Sequence, residues 1–119
     1  MTQEASSPIQ YRTTNGVTVV GFTSPYLQAE TDVEKVGAEL FDLLEVKGHT
    51  KLVLTFQGVR FVSSSMLAQV VKLQRKVTKA GGKLRLCSLT PALTEVIHTS
   101  HLDKLLDVVA DEPAALHKF

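Results

Sequence analysis

An α/β domain with a mixed, mostly parallel central sheet of four to five strands and helices packed on it is the fold class this sequence predicts. Three observations point to it. Short β-branched runs alternate with amphipathic helical segments along the chain, and such alternation lays strands side by side through right-handed crossovers. The pair Asn15-Gly16 sits between two strand-like runs and marks an opening hairpin, because both residues tolerate positive φ. Apolar residues make up 44% of 119 positions and charged residues 21%, which suits one compact domain with a real core.

The elements follow in order. Residues 1–8 are polar, end in Ser-Ser-Pro and are expected to form a flexible tail, leaving 9–119 as the single domain. Ile9 to Arg12 reads as a short strand, and Val17 to Phe22 as its β-branched antiparallel partner. Thr23 to Glu30 reads as a loop containing Ser24-Pro25. Thr31 with Glu34 makes a capping-box pattern, so a helix is expected from Thr31, ended by Gly48, with Val33, Val36, Leu40, Phe41 and Leu44 as its buried stripe. Lys51 to Phe56 is a short apolar run suited to a central strand. Gly58 to Ser65 reads as a turn, with Ser63 as the N-cap of a second helix. That helix buries Met66, Val70, Leu73 and Val77, with Leu67 and Val71 beside them, and Gly81-Gly82 ends it. Lys83 to Cys87 is the next strand. Thr90-Pro91 opens a third helix that turns Leu93, Val96 and Ile97 inward. Leu105 to Val109 reads as a last strand and Pro113 to His117 as a last helix.

The composition disfavours several function classes. A formal net charge of +1 provides no general attraction to nucleic acid or an anionic membrane. No apolar run is long enough to span a bilayer, and MTQEASSPIQ lacks the basic-then-apolar order of a secretory signal, so a cytoplasmic location is expected. Cys87 is the only cysteine, so no intrachain disulfide forms. His98, His101 and Asp103 lie close in sequence, but no third ligand pattern completes a metal site and no Gly-x-Ser-x-Gly elbow supports hydrolysis. Lys72, Arg75, Lys76 and Lys79 share a helix face without interleaved aromatics and read as a solvated surface. No cofactor, metal or catalytic activity is expected.

The segment from Val59 to Leu106 resembles the STAS domain of anti-sigma factor antagonists. Ser63-Ser64-Ser65-Met66-Leu67 stands where that family carries Asp-Ser-Ser-Gly-Leu; Gly81-Gly82 and the strand Leu84 to Leu86 follow in order. His101-Leu102-Asp103 matches the family's Gly-Leu-Asp in two of three positions. The opening hairpin and long first helix extend the likeness over residues 9 to 119.

The resemblance implies a STAS fold and a module that binds an anti-sigma factor with serine-kinase character and is released by phosphorylation. It aligns the second serine of the turn, Ser65, with the acceptor and Ser64 with the first serine. Ser63 replaces the family Asp and Met66 the family Gly. The partner-facing end then comprises Ser63, Ser64, Ser65 and Met66 together with Ser24, Tyr26 and Leu27 of the neighbouring loop. A serine phosphatase would be a second partner; nucleic acid and membrane would not be partners, and the chain would be a monomer or weak dimer. The alternative is a STAS scaffold protein that is never phosphorylated.

Overall fold

A computed structural model describes residues 7–117 and 119. The elements run β1 (Ile9–Thr14), β2 (Val17–Phe22), β3 (Tyr26–Leu27), α1 (Glu30–Glu45), β4 (Lys51–Thr55) and β5 (Phe61–Val62). They continue through α2 (Ser64–Lys79), β6 (Lys83–Cys87), α3 (Pro91–Thr99), a 3₁₀ turn (Leu102–Lys104), β7 (Asp107–Val108) and α4 (Glu112–Leu116). The main sheet has five strands in the order β1-β2-β4-β6-β7. Only the β1–β2 pair is antiparallel. Asn15 and Gly16 turn that hairpin with φ of 50° and 79°, as the dipeptide predicts.

Strand alternation gives the sheet two covered faces. Val20, Leu52, Leu54, Leu84 and Leu86 join the large core cluster with Val36 and Leu40 of α1 and Val70 and Leu73 of α2. Val17, Val19, Val53 and Cys87 point the other way and pack with Ala115 of α4. The α4 segment is pinned there by Arg85, which donates to the carbonyls of Ala115 at 3.0 Å and His117 at 2.8 Å.

Several boundaries differ from the sequence reading. Residues 1–6 of the expected tail lie outside the described residues. Ser7 and Pro8 are held: Ser7 Oγ donates to Glu39 Oε1 at 2.8 Å, and the Pro8 carbonyl accepts the Thr23 N–H at 3.0 Å. The Thr31 capping box does not form. Ala29 occupies the N-cap without a side-chain bond, Thr31 is already helical, and Glu30 and Asp32 put negative charge on the first turn, where the helix dipole favours it. The stretch expected to be loop contains β3, which pairs in parallel with β5 in a separate two-stranded sheet. Two residues are too few to show a period.

Val96 was expected to face inward but is 42% exposed. The nine-residue α3 presents Leu93 and Ile97, one turn apart, and Val96 falls about 100° round from Ile97. Phe41 is only half-buried, with the Lys76 ammonium 5.5 Å from its ring centroid, and Leu43 is buried in the α1 stripe. The last strand is shorter than expected because the 3₁₀ turn delivers the chain to it, leaving Leu105 exposed. The last helix starts at Glu112, capped by Asp111.

The two glycines after α2 do different work. Gly81 has φ of +79°, whereas a Cβ on Gly82 would clash with the Thr50 carbonyl oxygen, which accepts the Lys83 N–H at the start of the β4–β6 pairing. Gly81→Ala should therefore cost about 1–3 kcal/mol for its left-handed backbone. Gly82→Ala should cost more, because backbone must move. Urea denaturation of the two variants checks the ranking.

Candidate functional site

The site is built on the junction of β5 and α2. Val62 is buried and Ser63 is extended at φ −75°, ψ 164°; Met66 is fully buried. The Ser63 hydroxyl accepts the Met66 N–H at 3.1 Å, so the predicted N-cap forms. The Ser63 N–H donates to the Leu27 carbonyl at 2.9 Å, which ties the turn to the β3 loop. With Met66 turned inward, helical geometry sends Ser64 and Ser65 outward, and both are exposed.

No acidic residue lies in the first turn of α2, and Lys76 and Lys79 lie in the last. The partial positive charge of the helix start therefore has no carboxylate from the same turn to balance it.

The two exposed serines meet different surroundings. Ser64 ends a groove of about 440 Å³ formed with Leu67, Val71, Lys72, Arg75 and Leu102, into which no carboxylate projects. Ser65 lines a smaller cleft of about 230 Å³ against α1, shared with Glu30, Glu34, Gln69 and Lys72. The groove that Ser64 ends is thus lined by two cations and no carboxylate, and the cleft beside Ser65 by two carboxylates and one cation.

Two of the residues expected at the partner-facing end are not surface groups. Met66 is 0% exposed and Leu27 1% exposed, and both belong to the main core. Met66 belongs to the inward line Met66–Val70–Leu73–Val77 of α2, and Leu27 turns in where its exposed neighbour Tyr26 turns out. Tyr26 remains exposed at 49%. Ser24 is half-buried and locks its own loop, its Oγ accepting the Tyr26 N–H and donating to the Tyr26 carbonyl, each at 3.1 Å.

Phe61, missed by the sequence reading, pairs with Tyr26 across β3 and β5 and is 46% exposed, so two aromatic residues stand side by side near the turn. The available signal was the alternation before the cap: if Val62 turns in, Phe61 turns out.

The remaining candidates form no reactive assembly. His98 Nδ1 lies 3.1 Å from Asp103 Oδ2 in an exposed pair at the end of α3. Among the described residues, no group of three or more His, Cys, Asp or Glu side chains is gathered to hold a metal. Cys87 is buried, and that burial pushes its thiol above the ordinary value, against weaker opposing hydrogen bonds from Ser88 and Thr55. Among the described residues, no helix is long and apolar enough to cross a membrane.

Comparison with known proteins agrees with this architecture. A family model described as the STAS domain matches residues 8–115. An anti-sigma-factor antagonist (STAS) domain protein from Planctomyces limnophilus is 23% identical, with a TM-score of 0.75, over 91% of this chain and 93% of its own. The Bacillus cell fate determinant SpoIIAA in its phosphorylated form is 20% identical, with a TM-score of 0.69, over 89% and 95% of the two chains. The unphosphorylated form of SpoIIAA, an anti-sigma factor antagonist, gives 16% identity and a TM-score of 0.69 over 89% and 91%.

Ser63→Ala should lower stability by about 1 kcal/mol through loss of the cap. Ser63→Asp should match or exceed the parent, because the carboxylate caps and also complements the helix dipole. Thermal and urea unfolding of the two variants checks this.

Proposed function

The chain belongs to the STAS domain family, and we propose on that premise that it is an anti-sigma factor antagonist. It acts in the cytoplasm as a protein-binding module without catalytic activity. It sequesters an anti-sigma factor with serine-kinase character and is released when the Ser63–Ser65 turn is phosphorylated. The observation that carries this reading is the pair of exposed hydroxyls on the first turn of a firmly capped helix. The fold likeness to SpoIIAA, a protein known in phosphorylated and unphosphorylated forms, is consistent with it.

The physical logic of release is electrostatic. A phosphoserine carries roughly −1.5 to −2 charges at neutral pH. At the start of α2 the free N–H groups and the helix dipole tolerate that charge. The fold therefore persists while the surface changes sign locally. A partner that must desolvate the new charge on docking loses affinity, and any partner carboxylate nearby is repelled. A serine phosphatase would restore the binding state.

Alignment with the family points to Ser65 as acceptor, but the surroundings favour Ser64. The groove that Ser64 ends has no carboxylate in its lining, whereas a phosphate on Ser65 would share a cleft with Glu30 and Glu34. The replacement of the family Asp by Ser63 also removes one negative charge from beside either phosphate.

The test is affinity capture from the native cell extract. The parent protein and Ser64→Ala should retain an ATP-binding, kinase-like regulator that Ser64→Asp does not. Mass spectrometry should place phosphate on Ser64. Equal capture by all three, with no phosphate on residues 63–65, would instead favour a STAS scaffold that is never phosphorylated.

A further inference from the structure

We infer that the groove between α2 and the 3₁₀ turn after α3 seats an acidic amphipathic segment of a partner protein. The groove has this role only if the chain is a partner-binding module, as proposed above. Its floor is aliphatic: Leu67 and Val71 lie one turn apart on α2, and Leu102 faces them from the 3₁₀ turn. Lys72 and Arg75 form its rim, about one helical turn apart.

Charge decides the occupant. Helix α2 carries four cations and no carboxylate between Ser64 and Lys79. Lys76 is taken by Glu45, at 2.9 Å. Among the described residues, Lys72 and Arg75 make no ion pair. Lys72 also borders the α1 cleft, so Arg75 is the cation most fully committed to the groove.

An acidic segment with aliphatic residues at i, i+3 and i+4 would fill the floor and place carboxylates over both cations. A nucleic acid fits less well, because the groove has no aromatic residue for base stacking and few cations for phosphates. Ser64 stands at the groove's end. A phosphate there would put negative charge at the end of the groove and repel an acidic occupant, which links the switch to the groove.

The probe is a fluorescein-labelled synthetic helix of about 16 residues with Glu on one face and Leu on the other, titrated onto the whole unphosphorylated chain. Fluorescence anisotropy should saturate below about 1 mM, and NMR amide shifts should centre on Leu67, Val71 and Leu102. The double variant Lys72→Glu/Arg75→Glu should weaken binding about tenfold or more. A peptide with Lys replacing Glu should bind the parent about tenfold more weakly and the double variant more tightly. If the charge reversal unfolds the chain, Lys72→Gln/Arg75→Gln takes its place with the same expected direction.

Three results would overturn the inference: no saturation by about 1 mM, equal affinity for the two peptides, or shifts centred on Tyr26 and Phe61. Binding of a DNA duplex that depends on Lys72 and Arg75, without peptide binding, would assign the groove to phosphates instead. If the kinase-like partner is lost on Ser64→Asp but retained by the double variant, the module reading stands and the groove falls.

Discussion

The anchoring of Met66 is the constraint on which the rest of the site depends. Its side chain lies wholly in the core at the first turn of α2, while the Ser63 hydroxyl holds its backbone N–H. Anchor and cap sit three residues apart, so the two residues between them have little freedom in where they point. Ser64 and Ser65 are presented outward as a consequence of packing. The loop containing β3 is drawn to the same place by the Ser63 N–H and the β3–β5 pairing, which sets Tyr26 and Phe61 beside the serines. The site is thus a product of the core, displayed on a rigid element, and a change on its surface need not pass through the interior.

Charge then differentiates what geometry makes similar. The outer face of α1 is rich in acids and that of α2 in bases, and the two serines look toward different neighbours across that divide. Neighbouring hydroxyls of the same chemical type therefore sit in different electrostatic surroundings. On the proposed reading, the same asymmetry suits the groove beside Ser64 to an acidic partner. In the family pattern an Asp stands at the cap and would put a carboxylate next to both serines; Ser63 brings none.

Much of this was legible in the chain. The Asn15-Gly16 hairpin, the inward line Met66–Val70–Leu73–Val77 and the Ser63 cap follow from turn chemistry and periodicity, and the mostly parallel sheet from the alternation of strands and helices. What escaped shares a physical cause. The β3–β5 ribbon is too short for any period, and it exists because distant residues meet. Thr31 offered a capping box, but the helix began a residue earlier at Glu30, where the chain leaves β3. Val96 carries an apolar side chain about 100° round α3 from Ile97, off the face turned to the core. Leu27 and Met66 were read as contact residues because of where the resemblance placed them, although the helical stripe already directed Met66 inward. The groove was invisible because Leu102 joins Leu67 and Val71 only in three dimensions.

The central claim is that charge added at Ser64 changes the exterior and leaves the packed interior as it was. It is tested most directly by NMR on the chain carrying phosphoserine at position 64, compared with the unmodified chain. Amide shifts confined to the Ser63–Ser65 turn and the start of α2, with the methyl signals of Met66, Leu54 and Val70 unmoved, is the result predicted. Displacement or broadening of those core methyl signals would contradict it.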